Sequence, residues 1–287
     1  MAALNHHKSA TMELQAKLHS LHLYSPDPLQ FARFYSNTYA MTQEATADGY
    51  LCRGPGRQLQ LSHGQANQLK WAQFSLHNAG AWDAFAERVR NLPQQLLPPA
   101  FAGIGQAIGV LDPDGNLLIF TPPPAPDAVF DDGPLPPATL QHFALRTPDL
   151  TAMLAFYCQG LGFVLSDAVK DPQGNLRACF LRTDSLHHAL ALFFAPAACF
   201  DHQSFEAPDW ASMKVWGDHM AAIREPIVWG IGRHGPGNDV FFMVRDPDGN
   251  LAEISSEIEH CAPDRLSGLW PHEERTLNLW GNAILRS

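Results

Sequence analysis

Two histidines and a glutamate hold matching places in this chain of 287 residues: His142, His202 and Glu253, separated by 60 and then 51 positions. Two imidazoles and one carboxylate can grip a divalent ion from one side and leave its other side open, as non-haem Fe(II) sites require. Whether these three meet depends on the elements that carry them. His142 opens "HFALRTPDLTAMLAFY" and His202 opens "HQSFEAPDWASMKVW", each a short alternating strand, then Pro-Asp, then an amphipathic helical stretch. Asp149 and Asp209 each follow their histidine by seven residues. Glu253 lies on the strand after "RDPDGN", a tight-turn sequence.

The same plan occurs twice more. "SLHLYSPDPLQFARFY" sets Ser20 seven residues before Asp27, and "WAQFSLHNAGAWDAFAERV" sets Trp71 seven before Asn78. Gly-punctuated runs with strand character follow each helix, so the chain reads as four βαβββ units, two in each half. "LDPDGNLLIF" and "RDPDGNLAEI" close the two halves, with Ile119 standing where the second copy has Glu253. The first half thus offers Ser20, Trp71 and Ile119, none of which would ligate iron there. The second fills the same three places with ligands. Side chains facing inward from different strands of one barrel can converge on a point.

Proline at the density of "TPPPAPDAVFDDGPLPPA" can neither continue a helix nor sit in a central strand, so it reads as a linker. The expected organisation is an N-terminal extension (1–16), a non-catalytic domain (17–121), the linker (122–138), a metal-binding domain (139–256) and a C-terminal extension (257–287). The last, with two Trp and several Leu, is expected to pack across the second barrel; the sharper alternative makes it a cover for the pocket mouth or a subunit interface. A net charge of -10 without a basic run argues against nucleic acid and anionic membrane as partners. "MAALNHHKSATMELQ" has no apolar core of a signal peptide, and no stretch approaches a membrane span of ~18 residues. Five scattered cysteines suit reduced thiols, and a cytoplasmic location is expected.

Taken together, these motifs resemble the vicinal oxygen chelate superfamily, in which pairs of βαβββ units curl into half-open barrels around a metal. Two pairs in one chain, with the metal in the second, is the arrangement of the type I extradiol ring-cleaving dioxygenases. The resemblance covers roughly residues 17–256 and implies an α+β fold of two half-open barrels. It also implies His142, His202 and Glu253 as ligands of Fe(II), with Mn(II) as the alternative metal. Its implied substrates are an aromatic diol and O₂, and a homo-oligomer is expected.

The resemblance extends to residues around the triad. His188, in "LHHALAL" fourteen residues before His202, matches the family's acid/base for the protons of the catechol and of the oxygen-derived intermediate. His187, expected on the opposite strand face, reads as structural. His234 in "GIGRHGPGNDVFF" falls 19 residues before Glu253, where the family has a pocket histidine. This segment also spells G-x-G-x-x-G, but it follows a helix-like stretch and leads into a strand, the wrong context for a dinucleotide site. One departure stands out. Ten residues before the carboxylate the family carries a substrate-contacting Tyr, and here the residue is Met243, which cannot donate a hydrogen bond. Phe241 and Met243 share a strand face and should form an apolar wall of the pocket. The Met raises a rival reading, a non-redox isomerase, lyase or hydrolase using the metal as a Lewis acid; a ligand-sequestering protein of the same fold is a third.

Overall fold

The computed structural model describes residues 14–90, 92, 106–124, 133 and 135–284. The extension before residue 14 and most of the proline-rich linker lie outside the described residues. In chain order the first half runs β1 (Ala16–Ser25), α1 (Pro28–Tyr39), β2 (Thr42–Thr46), β3 (Gly49–Gly54), β4 (Arg57–His63), β5 (Leu69–Leu76), α2 (Ala79–Arg90), β6 (Ile108–Leu111) and β7 (Leu117–Thr121). The second runs β8 (Thr139–Thr147), α3 (Leu150–Ala155) with a π-helical turn to Leu161, β9 (Val164–Lys170), β10 (Leu176–Arg182), β11 (Leu190–Phe194), β12 (Cys199–Glu206), α4 (Trp210–Ile223), β13 (Trp229–Arg233), β14 (Val240–Arg245) and β15 (Leu251–Ser256). A short β16 (Gly268–Pro271) and α5 (Glu274–Leu277) follow. Among the described residues no helix is long and apolar enough to cross a membrane.

Each half builds one mixed sheet, in the orders β2-β3-β4-β1-β5-β7-β6 and β13-β14-β15-β12-β8-β11-β10-β9-β16. The opening strands of the two units pair antiparallel at the centre, β1 with β5 and β8 with β12. Each central strand also has a parallel outer partner: β4 beside β1, β7 beside β5, β11 beside β8 and β15 beside β12.

The Pro-Asp repeats start the helices. Asp27, Asp149 and Asp209 accept hydrogen bonds from the backbone N–H of Gln30, Ala152 and Ser212 at 3.0, 2.9 and 2.7 Å, and Asn78 accepts from Ala81 at 2.9 Å. Each side chain satisfies a donor that the first helical turn leaves open. The Asp-Pro-x-Gly-Asn phrase occurs three times as a turn. Asp112, Asp171 and Asp246 each accept the backbone N–H of the Asn four residues on, at 2.8, 2.8 and 2.9 Å.

Alternation along the strands separates two faces. On one side Phe143, Leu145, Leu192, Phe242 and Ile254 join the main core, continuous with the helices and with Phe31, Tyr35 and Phe74 of the first half. On the other, Ala144, Phe180, Phe193, Phe241 and Met243 form a separate cluster on the concave face of the second sheet. His142, His202 and Glu253 fall on that concave side.

Candidate metal centre

Strand register brings the three ligand-type residues together. Ser204 on β12 pairs with His142 on β8 and, across its other edge, with Glu253 on β15. His202 lies two residues before Ser204, on the same face. Their distances follow: Nε2 of His142 lies 3.2 Å from Nε2 of His202, while Glu253 Oε2 lies 4.0 and 3.8 Å from these nitrogens. The remaining ring nitrogens are held from behind. His142 Nδ1 meets the side-chain oxygen of Gln141, whose amide nitrogen donates to the carbonyl of His188. His202 Nδ1 donates to Asp201 Oδ1 at 2.5 Å, and Asp201 in turn accepts from Arg146 Nε at 2.7 Å. With Nδ1–H engaged, each neutral imidazole presents an Nε2 lone pair to the shared point, the tautomer a ligating histidine needs.

The residues fit a metal on grounds of energy as well as direction. Glu253 is fully buried and its carboxylate oxygens make no aligned hydrogen bond; the nearby hydroxyl, that of Ser204, is engaged with Ser255 at 2.9 Å and lowers the Glu253 carboxyl only in part. A buried anion without a partner costs several kcal/mol or more, which a cation between it and two lone pairs would offset. In the metal-free chain, burial, joined by repulsion from Asp239, pushes the Glu253 carboxyl well above its usual range. Burial followed by neighbouring histidines holds His142 and His188 well below the ordinary imidazole value. Burial lowers His202 and His234 to about 3. All four are neutral near pH 7.

A pocket opens above this point, with about 420 Å³ of empty space that includes open solvent. His188 lines it with its ring 4.3 Å from that of His142, centroid to centroid. His234 lines it too, and its Nδ1 donates to the carbonyl of Leu277 at 2.6 Å. The other walls are Phe180, Ala191, Phe193, Trp229, Pro236, Met243 and Leu277, with no Lys or Arg among the described lining residues. Met243 is among the lining side chains. Phe241 is not: it stacks under His234 at 3.7 Å with the rings 5° from parallel, and so supports that ring from outside the cavity. The ring of His234 covers Phe241 and takes its place in the wall, so two side chains on one face need not reach the same space.

The C-terminal segment packs across the second barrel. β16 pairs with β9, and Leu277 supplies part of the cavity wall. His187 is the other change of picture. It precedes β11 and sits in an irregular stretch, so strand alternation does not apply, and its Nδ1 lies 3.0 Å from Nδ1 of His188. Asp239 went unremarked in the sequence although it follows the Gly-Pro-Gly-Asn turn into β14. It is fully buried with both oxygens unpartnered, and burial raises its carboxyl to about 7. Together with His234 and Glu253 it forms a second grouping whose potential ligand atoms lie within 4.8 Å of one another, as do those of His142, His202 and Glu253. Acceptors behind both histidines favour the latter set. Orientation of this kind is a property of built metal sites.

Residues 139–254 match the family described as Glyoxalase/Bleomycin resistance protein/Dioxygenase superfamily. Metapyrocatechase 2 of Cupriavidus necator is 32% identical over 152 residues, 52% of this chain and 46% of that protein, so the chain spans about half the length of this curated relative. Among solved structures, homoprotocatechuate 2,3-dioxygenase of Brevibacterium fuscum, in an anaerobic complex with 3,4-dihydroxyphenylacetate, superposes with a TM-score of 0.79 at 23% identity, covering 98% of this chain and 93% of that one. A Mn(II)-bound glyoxalase of Novosphingobium aromaticivorans superposes with a TM-score of 0.75 at 22% identity, covering 94% and 91%. At such identities the superpositions show a shared fold.

Proposed function

We propose that this chain, a member of the glyoxalase/bleomycin resistance/dioxygenase superfamily (the vicinal oxygen chelate superfamily), binds Fe(II) through His142, His202 and Glu253 and opens a catechol ring beside one hydroxyl, using O₂. One observation carries the reading. Two imidazole lone pairs and an unpartnered buried carboxylate converge at the base of an apolar cavity that also holds a third neutral histidine.

Fe(II), when bound, would chelate the vicinal oxygens of the diol and bring them into redox contact with O₂. The chain's own residues supply the rest. Phe180, Phe193 and Trp229 offer faces and edges to an aromatic ring. His188, neutral and beside His142, is placed to accept a hydroxyl proton at a free ring nitrogen and to return it later. His234 is a second imidazole in the wall, its Nδ1–H fixed by Leu277, so its Nε2 acts as an acceptor. Leu277 and Pro236 add to the apolar wall of the cavity. Without a cationic side chain in the wall, a substrate carboxylate would be left buried and unpaired. Catechols bearing neutral substituents are therefore the favoured class.

Loading the protein anaerobically with Fe(II), adding a panel of catechols and then admitting air tests the proposal. A yellow ring-opened product is expected from neutral catechols, with carboxylated ones poorer by about 10-fold or more in kcat/KM. If iron is bound yet no catechol is consumed, the dioxygenase reading fails. Met243, lacking the hydroxyl expected there, favours one alternative: Lewis-acid isomerisation, elimination or hydrolysis. That chemistry would proceed without O₂, so turnover under argon would select it.

A further inference from the structure

The inference begins behind His188, on the side away from the cavity. Asp167 on β9 is 1% exposed and collects donors from the C-terminal segment: Oδ1 accepts from Arg265 Nη2 and from the Gly268 N–H, both at 3.0 Å, and Oδ2 accepts from Trp270 Nε1 at 2.8 Å. Burial alone would raise its carboxyl, but His187, Trp270 and Arg265 outweigh that and hold it below the ordinary value. Asp167 is thus an ionised carboxylate, and it can only accept. His187, fully buried, brings Nε2 to 3.2 Å from Oδ2 of Asp167, an ion-pair distance at which the N–H is not yet aligned for a hydrogen bond, and Nδ1 to 3.0 Å from Nδ1 of His188.

From this chain of contacts we infer that Asp167 and His187 are positioning residues that fix the tautomer of His188. The inference rests on reading His188 as the base for the bound diol. Its logic is one of donors and acceptors. The carboxylate requires the hydrogen of His187 on Nε2, which leaves Nδ1 of a neutral His187 as a lone pair. That lone pair requires the hydrogen of His188 on Nδ1. Nε2 of His188 is then a lone pair, and the resting enzyme holds a base ready for the substrate. When a catechol O–H bond breaks, its proton forms a new N–H bond at His188 Nε2. The imidazolium so formed still donates through Nδ1 to His187, whose own Nε2–H faces the fixed charge of Asp167. The carboxylate works at a distance of two imidazoles, with the serine-protease triad as its nearest chemical analogy. Gly237 makes room for the arrangement. A side chain there would come within 3.1 Å of His187 Nδ1 and 3.3 Å of a carbon of the His188 ring.

Substituting Asp167→Asn should reverse the relay. Two donors at the Oδ1 place, Arg265 and Gly268, outweigh the single Trp270 N–H at the Oδ2 place and keep the amide oxygen at Oδ1, so the NH₂ group faces His187 Nε2 and donates to it. His187 then carries its hydrogen on Nδ1, and His188 must carry its own on Nε2, where it blocks proton uptake.

The direct test is long-range ¹H–¹⁵N spectroscopy of full-length protein with ¹⁵N-histidine, loaded with Zn(II) as a diamagnetic ion. The wild type is expected to show His188 protonated on Nδ1 and pyridine-like on Nε2, and Asp167→Asn to show the opposite. With Fe(II), that variant should retain its metal and a KM within a few-fold of wild type while kcat falls about 10²-fold. Because Asp167 also anchors the C-terminal segment, His187→Phe is the second variant; it keeps the anchor and should leave His188 averaging over both tautomers. A wild-type His188 hydrogen on Nε2, as an imidazolium at His187 would impose, overturns the inference. So does an Nδ1–H tautomer that persists in His187→Phe. The spectra need no turnover, so a failed catechol assay beside the expected tautomers would sink the proposed reaction and leave the relay standing.

Discussion

The two halves share one strand register and differ in what it presents. In the second, Ser204 pairs with both His142 and Glu253, and Ala144 pairs with His202. In the first, Gln73 takes the place of Ser204, pairing with Ser20 and Ile119, while His22 pairs with Trp71. The backbone stations are therefore the same. In the first half they are closed: Ser20 donates to Gln73 at 3.0 Å, and Trp71 and Ile119 pack into a small apolar cluster with Ala107. In the second they are left open, with a buried carboxylate whose oxygens make no aligned hydrogen bond. One half spends its interior on packing, and the other gives up stability to keep a binding point.

Importing a first-half residue into the second half should break the contrast most completely. Glu253→Ile is expected to abolish metal occupancy by elemental analysis. It should also raise the melting temperature of the metal-free protein, because an unpaired buried carboxylate is removed; a lower one would mean that Glu253 is already compensated. The reverse graft, Ser20→His, Trp71→His and Ile119→Glu together, should bind no metal. His19 and Lys70 stand where the second half has Gln141 and Asp201, and an ammonium cannot accept an imidazole N–H. Calorimetric titration with Mn(II) would detect a site if that argument is wrong. Asp201→Asn retains an acceptor oxygen but loses its charge, and should weaken metal binding about 10- to 100-fold in the same titration.

Smaller effects probe the closed half. Burial, then the charge of Lys70, lowers His22 to about 3. Between that value and about 6.5 the unfolded chain binds a proton that the folded chain does not, so stability is lost as pH falls through this window and is unaffected above it. His22→Phe should flatten the slope of stability against pH there by about one proton, read from denaturant midpoints. Replacing the helix caps should separate the halves least of all. Asn78→Ala and Asp209→Ala are each expected to cost about 1 kcal/mol, and a much larger cost at one would mean that the caps do more than start helices.

Much of this was legible before any coordinates. The repeat, the Asp or Asn that precedes each helical stretch and the alignment of Ile119 with Glu253 follow from local patterns that the strand period enforces. Two things were not. Phe241 shares a face with Met243 yet misses the cavity, because the ring of His234, brought over it by the preceding loop, covers it, and alternation along one strand does not encode what packs on top. Asp167 lies 20 residues before His187 and nearly 100 before the arginine that holds it, and no local signal links the three. Asp239 had a signal, a lone acid entering an apolar strand, whose burial only the fold reveals.

The C-terminal clamp has a further consequence for assembly. The three ligand-type residues sit on β8, β12 and β15, all complete by Ser256. Leu277, which fixes His234, and Arg265, Gly268 and Trp270, which grip Asp167, come afterwards. On the proposed reading, metal capture would precede chemical competence along the chain. A chain cut by a protease between β15 and β16 is expected to take up its ion while lacking the means to act on a substrate. The tail would then serve as a checkpoint on the proposed chemistry: a clipped molecule would hold metal without its reactivity.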